Sequence, residues 1–456
     1  MEASTLKLLL DKLKDLEDWR NSFGPYSLDK SQKIDQDKIT SVFTELVDRL
    51  KGNYPFHHPQ YAGQMLKPPH ELAWAAYSLA MTINPNNHAL DGGPPSSEME
   101  KEVVAELAEM VGYGDKYLGH LTSSGTIANL EALWVARESH PDKMIAYSSA
   151  AHYTHSRMCE VLGVKSVEIP TNNMGVMNIN AFQDAADDIG TVVVTLGTTG
   201  LGLLEDLPDI LELCKSKGIR VHVDSAYGGF YKLLADHELM KNGVWQAVQE
   251  CDSFVVDPHK HGLQPYGCGC VLFRDPGVGK FYKHDSPYTY FSSDELHLGE
   301  ISLECSRAGA AAVALWTTLQ LLPLKADEGL GRILEQCLLA ADAFFSALKA
   351  SEKYRPLIKP DLDIVAYFPL INDMSTSSIS KQSSRIFTAG MNDKKEGLHL
   401  SLFRMESDFF KQHYPDIKVD SDDVTVLRSV LMKPEHHYFV PELMRRLHIL
   451  WDRTQS

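Results

Sequence analysis

Ser253-Phe254-Val255-Val256-Asp257-Pro258-His259-Lys260-His261-Gly262 is a short apolar, β-branched run cut off by a proline. Such a run reads as a buried strand that stops abruptly, which presents the Lys260 amine at the strand's carboxyl end. In an open α/β sheet, ligands collect at that end. A lysine held there, desolvated and partly neutral, is the amine needed to form a Schiff base with an aldehyde cofactor. A single lysine beside a turn is more commonly a surface lysine, so Lys260 needs companions.

They lie upstream. Arg220-Val221-His222-Val223-Asp224-Ser225-Ala226-Tyr227-Gly228-Gly229 is a second strand-then-glycine segment, and it delivers the Asp224 carboxylate to a strand end. A carboxylate there can pair with a protonated pyridine nitrogen and keep a cofactor ring electron-withdrawing. Thr122-Ser123-Ser124-Gly125-Thr126 opens a helix-like run from Ile127 to Glu138. Small residues at a helix start leave backbone N–H groups and hydroxyls free, the usual seat of a phosphate. An aldehyde-binding lysine, a ring-nitrogen carboxylate and a phosphate cradle together describe a pyridoxal 5'-phosphate (PLP) site.

Ser123-Ser124-Gly125-Thr126, Ala151-His152, Leu196-Gly197-Thr198-Thr199-Gly200, His222-Val223-Asp224-Ser225-Ala226 and Asp257-Pro258-His259-Lys260 follow one another in this order. In that order they resemble the group II PLP-dependent amino-acid decarboxylases, from about His57 to Trp316. Within that family the chain is most similar to the bacterial tyrosine and aromatic L-amino-acid decarboxylases. The stretches that carry this are His58-Pro59-Gln60-Tyr61-Ala62-Gly63-Gln64, Asn84-Pro85-Asn86-Asn87-His88, Pro265-Tyr266-Gly267 and Ser306-Arg307-Ala308-Gly309-Ala310.

The resemblance implies roles. Lys260 forms the Schiff base, Asp224 salt-bridges the pyridinium nitrogen, and His152 stacks on the ring near the substrate carboxylate. Ser123, Ser124, Gly125 and Thr126 cradle the phosphate, with Ser253 as a further contact and His259 as a second phosphate contact or a residue that positions the lysine. Thr198 or Thr199 sits near the ring 3'-hydroxyl, and Ala226 leaves room for the ring face. Arg307 resembles a position near the phosphate or the subunit boundary, with a surface salt bridge as the plain alternative. Tyr61 and Gln64 are candidates for touching the substrate side chain. A tyrosine on a mobile loop is credited in the family with protonating Cα, and here Tyr288 is the first choice and Tyr290 the second.

Composition sets wider bounds. At 456 residues, 44% hydrophobic and 23% charged, the chain has a globular composition and more than one domain is expected. The formal charge of -17 argues against nucleic acid or an anionic membrane as main partner. Seven scattered cysteines suggest reduced thiols and a cytoplasmic protein, and Cys268-Gly269-Cys270 reads as part of a strand rather than a metal site. No secretory signal or membrane-spanning run is visible.

Strand-like runs at 144–148, 166–169, 191–196, 220–223, 253–256 and 269–274 alternate with helical stretches, the signature of a largely parallel sheet covered by helices. The resemblance implies the fold-type I aminotransferase-like architecture. We expect an N-terminal helical segment over 1–85 that makes a dimer contact and one pocket wall, a PLP-binding large domain over 86–325, and a smaller α+β domain over 326–456. Helices are expected from Leu6 to Leu16, over 36–50, from a Ser97/Glu100 capping box, over 309–322 and 333–348, and from Pro441 to Trp451.

The expected activity is decarboxylation of an L-amino acid to an amine and CO2. The pocket segment 59–65 has no cation for a distal carboxylate, and Pro265-Tyr266-Gly267 stands where the related sphingosine phosphate lyases carry a second lysine. An aromatic substrate remains: tyrosine, phenylalanine, tryptophan or DOPA. A C–C lyase, an oxygen-dependent aldehyde synthase and a non-catalytic scaffold are the alternatives. A homodimer is expected by resemblance.

Overall fold

A computed structural model describes residues 3–241, 243–283, 301–393 and 395–455. Seven strands form the larger sheet: β1 (Leu118–Thr122), β2 (Met144–Ser148), β3 (Ser166–Ile169), β4 (Ile189–Thr195), β5 (Arg220–Asp224), β6 (Ser253–Val256) and β7 (Gly269–Phe273). Their order is β1-β7-β6-β5-β4-β2-β3, and β7 alone runs against its neighbours. Every residue of β4 and β6 is buried, because helices cover both faces and no side of these strands meets water. A second, antiparallel sheet of β8 (Tyr354–Pro356), β9 (Ile364–Pro369), β10 (Ser401–Glu406) and β11 (Asp423–Val430) has the order β10-β11-β9-β8.

The helices that precede or enter the large sheet include α1 (Ala3–Asn21), α2 (Gln36–Leu50), α3 (Glu71–Met81), α4 (Pro94–Val111), α5 (Gly125–Ser139) and α6 (Thr154–Leu162). The helix Leu330–Ala350 belongs to two cores at once. Leu330, Leu334 and Leu338 pack with the large sheet, while Ala341, Phe344 and Leu348 pack with the small one. No helix among the described residues is long and apolar enough to cross a membrane.

Several local expectations are corrected. The Ser97/Glu100 capping box does not form, since α4 starts at Pro94. Glu100 is instead buried, accepting from Asn87 Nδ2 at 2.6 Å and the Leu121 N–H at 3.1 Å, and pairing with Arg307. Arg307 is accordingly no surface residue: it also donates to the carbonyls of Leu121 (2.8 Å) and Asn87 (2.9 Å). The last helix runs His436–Arg453 with Pro441 inside it, so the proline does not mark its start. Strand β1 was not foreseen, nor was the helix Thr376–Asn392, which is capped by Ser375 and Ser378.

Removing one member of a buried ion pair leaves the other charge desolvated and alone. Arg307→Ala should therefore lower unfolding stability by about 3–5 kcal/mol, read from urea denaturation of the purified protein; a loss near zero would show that the pair is not closed to solvent.

Candidate active site

Strand β6 delivers Lys260 through a tight turn in which the Lys260 N–H donates to Asp257 O at 2.9 Å and Gln264 N–H to Pro258 O at 3.1 Å. The ammonium lies 3.2 Å from Asp257 Oδ2, and the Asp257 side chain is only 3% exposed. Asp257 leans on the first residue of α5: a Cβ on Gly125 would come within 2.6 Å of Asp257 Oδ2, so only glycine fits. Asp257 Oδ1 has no hydrogen-bond partner among the described residues. His259 turns sideways, with Nδ1 donating to Cys268 O at 2.7 Å and its ring 4.9 Å from that of Tyr266.

Asp224 ends β5. Its Oδ2 lies 2.8 Å from His155 Nε2, and Oδ1 accepts the Ala226 N–H at 3.1 Å. Burial alone would push this carboxyl up. His155 first, then the Ala226 N–H and the Lys260 charge, overcome it and hold the group well below the usual carboxylate range. Sequence reasoning missed His155. The signal was present, because a buried aspartate needs a hydrogen-bond donor and His155 stands three residues after His152 at the start of a helix.

Two residues before Asp224, His222 is fully buried, and burial lowers its pKa to about 3. It is neutral, so its two nitrogens play opposite parts. Asn129 donates through Nδ2 to Gly125 O at 2.8 Å, which leaves Asn129 Oδ1 to accept from His222 Nε2 at 2.8 Å. His222 Nδ1 then accepts from Ser253 Oγ at 2.8 Å. The structure thus places Ser253 at the beginning of β6, behind His222 and Asn129, and not beside Lys260. As a direct phosphate contact it is displaced, since its hydroxyl is used inside the sheet.

At the start of α5, Ser124 is the N-cap, its Oγ accepting the Ile127 N–H at 3.4 Å. Ser123 and Thr126 are exposed, and the Ser123 N–H donates to Glu304 Oε2 at 2.8 Å. His152 is half-buried and accepts the Thr154 N–H on Nδ1 at 3.2 Å, with no hydrogen bond to Nε2 among the described residues. Burial foremost lowers its pKa, with the Lys260 charge adding to this and Asp224 opposing it, which puts all three groups in one neighbourhood.

The Thr198 hydroxyl is turned into its own loop, accepting the Leu203 N–H at 3.0 Å, whereas the Thr199 side chain is exposed. Arg428 from the small sheet fixes that loop by donating to the carbonyls of Thr199 (2.6 Å) and Gly200 (3.0 Å). Ala226 is half-exposed next to Asp224. Tyr61 is buried among Tyr54, Phe56 and His399, and Lys433 Nζ donates to its carbonyl at 2.6 Å. Gln64 is exposed. The Tyr266 hydroxyl donates to Met65 O at 3.4 Å, joining this wall to the turn after Lys260. Tyr288 and Tyr290 lie outside the described residues.

One further cleft, lined by Cys214, Lys215, Arg220, Glu250, Asp252 and Arg274, lies at the opposite end of the sheet. Each of its three cations already faces Glu250 or Asp252.

The model of the pyridoxal-dependent decarboxylase conserved domain matches residues 25–368. The chain belongs to this family. It is 26% identical to an L-tyrosine decarboxylase of Enterococcus faecium, across 94% of this chain and 92% of that protein. It is 27% identical to an L-aspartate/L-glutamate decarboxylase of Pyrococcus horikoshii, across 73% and 85%. Among solved structures, mouse CSAD superposes with a TM-score of 0.78 at 20% identity, covering 96% of this chain and 91% of that one. Oryza sativa TDC with PLP and tryptamine gives 0.78 at 15% identity, covering 100% and 99%. The fold is that of the fold-type I PLP decarboxylases, and the protein is a PLP-dependent carboxy-lyase acting in amino-acid metabolism.

The residues present fit that cofactor. An amine, a buried ionised carboxylate and a glycine-opened helix start stand at adjoining ends of the sheet.

Because Asp224 is depressed, its ionised form persists through the neutral range and is lost only as pH falls toward its low native pKa. His155→Ala leaves burial less opposed, so the pKa should rise. Spectrophotometric PLP titrations between about pH 5 and 8 should then give a variant-to-wild-type Kd ratio that climbs toward the acid end; a ratio independent of pH would mean that His155 does not hold the charge.

Proposed function

We propose that the enzyme removes the carboxyl group of an aromatic L-amino acid, giving the corresponding amine and CO2. The observation that carries this reading is the meeting of Lys260, His152 and an ionised, buried Asp224 beyond the carboxyl ends of β6, β2 and β5. When bound, PLP supplies an aldehyde and an electron-withdrawing ring. In our reading Lys260 would hold the cofactor through its aldehyde, Asp224 would keep a negative charge at the ring nitrogen, and His152 would stack on the ring face. The opening of α5, with Ser123, Ser124, Gly125 and Thr126, takes the phosphate, and His259 orients the lysine turn. Thr199, with its exposed hydroxyl, is favoured over Thr198 for the ring 3'-hydroxyl, and Ala226 keeps the ring face clear. We assign the Cα proton to Tyr288, with Tyr290 second.

The aromatic preference rests on the Tyr54, Phe56 and Tyr61 wall, with Gln64 at its rim. An acidic substrate is the second reading, favoured by the relatives that act on aspartate or glutamate and by Lys433, whose Nζ is 5.3 Å from the Tyr61 ring centre. That lysine already serves the Tyr61 carbonyl, and burial brings its pKa down to about 7, so it offers a carboxylate little charge. PLP-loaded protein given aromatic and acidic amino acids, with and without oxygen, should release CO2 and an aromatic amine, and Lys260→Ala should abolish both. Amine from aspartate or glutamate alone would overturn the substrate class. Oxygen-dependent aldehyde and peroxide would assign an aldehyde synthase, and cleavage of another bond a C–C lyase.

We further propose three units, over 1–85, 86–325 and 326–456, and a homodimer built on the N-terminal helices. Helix α2 buries none of its residues, and Val42, Phe43, Leu46, Val47 and Leu50 are each at least 44% exposed. A stripe this apolar is more stable covered. Light scattering should return twice the chain mass, and a monomer mass would sink the assignment. All seven cysteines are unpaired, which supports a cytoplasmic setting.

A further inference from the structure

We infer that Asp361-Leu362-Asp363 is a brace from the small-sheet side that fixes the spacing of the strand ends bearing Thr198, Asp224 and Lys260, and that Asp363 is its positioning residue. The inference rests on the proposed roles of Lys260 and Asp224.

Three consecutive residues touch three successive turns. Asp361 Oδ2 accepts the Leu204 N–H at 2.8 Å and so holds the loop after β4. Leu362 fills the notch where the turns after β4 and β5 meet: a Cβ on Gly197 or Gly228 would lie only 3.2 or 3.1 Å from Leu362 Cδ1. Gly197 also has φ +105°, a conformation that favours glycine, so no side chain competes with Leu362 for this space. Asp363 joins the turns after β5 and β6. Its Oδ1 accepts the Tyr227 hydroxyl at 2.6 Å, and its Oδ2 lies 3.3 Å from His261 Nε2. Tyr227 follows Asp224 by three residues, and His261 follows Lys260 directly. The rings of Tyr227 and Tyr231 lie 4.7 and 5.1 Å from that of His261, so the turns are packed together around the carboxylate. The brace is anchored behind, where Leu431 N–H donates to Asp363 O at 2.8 Å at the end of β11.

Asp363 is 0% exposed and so are His261 and Tyr231. A carboxylate in that setting is costly unless its partners are held, and its partners are the residues that aim the catalytic groups. None of the three touches the reacting atoms, so their effect must come through placement, for which an error near 1 Å can cost about 10²-fold in rate.

The test uses PLP-loaded full-length protein. Asp363→Asn keeps an acceptor for Tyr227 but removes the charge facing His261. We expect its kcat to fall by about 10²-fold with KM changed by less than about threefold, and the induced circular dichroism of the bound cofactor's visible band to weaken. Tyr227→Phe should do the same in lesser degree, and the loss in the double variant should differ from the product of the two single losses, because both changes act on one carboxylate. Should Asp363→Asn not fold, Tyr227→Phe and His261→Asn approach the same contact from the large-sheet side. Variants that only melt earlier, with wild-type kcat and dichroism, would overturn the inference. Wild-type protein with no Lys260-dependent visible band would instead overturn the proposed site, and this inference with it.

Discussion

A carboxylate enclosed at the end of a central strand stays ionised only while donors reach it, and Asp224 sets this condition for everything around it. Its donor is His155, which no residue of the same strand could replace. The start of α6 must therefore lie over the end of β5, and β2 must stop where it does to release the chain into that helix. A protonated imidazole at His222 would compete for the same charge. Burial removes that competitor, since His222 is neutral and is occupied by Ser253 on one side and Asn129 on the other. Asn129 in turn bonds the carbonyl of Gly125, so the interior of the sheet and the opening of α5 share one chain of hydrogen bonds.

The parts of this arrangement legible in the sequence were those written locally. A β-branched run ended by Asp-Pro or by a glycine pair marks a buried strand and its carboxyl end without any tertiary knowledge, which is why Lys260 and Asp224 could be placed in order. Partners supplied from elsewhere in the chain were not legible. Ser253 looked like a phosphate contact because it precedes Lys260 on what reads as one strand, yet that strand is four residues long: Ser253 opens it, and Lys260 lies in the turn beyond its far end. Glu100 fitted a capping pattern, but the buried Arg307 guanidinium outweighs one orphan N–H of a helix that already starts with prolines. Pro441 resembled a helix start because prolines favour that position, whereas the helix begins a turn earlier, where His436 Nε2 donates to Pro59 O at 3.0 Å. Strand β1 was hidden by its composition, Leu-Gly-His-Leu-Thr, which carries almost no β-branched signal and is held by pairing with β7.

The opening of α5 is unusual in having two carboxylates at hand, Asp257 against Gly125 and Glu304 on the Ser123 N–H. The partial positive charge of a helix start favours anions there, and Lys260 offsets Asp257 at 3.2 Å. The same two features that stabilise these side chains are the ones a phosphate would use. Local cations therefore matter more here than they would in a neutral protein, because a chain with a formal charge of -17 offers an incoming anion no general attraction.

Substrate choice follows the same accounting of charge. Counting cations within 59–65 finds none, but the fold brings Lys433 to Tyr61 from more than 370 residues away. What decides its part is where the ammonium points. Its short bond goes to a backbone carbonyl, it is 4% exposed, and burial has already taken much of its charge at neutral pH. A lysine so placed fixes the backbone beneath an aromatic wall, whereas recognition of a distal carboxylate calls for a cation whose donors are unspent. The Tyr61 ring on that backbone is itself buried against Tyr54, Phe56 and His399, so what the lysine steadies is a packed aromatic cluster and not a charged subsite.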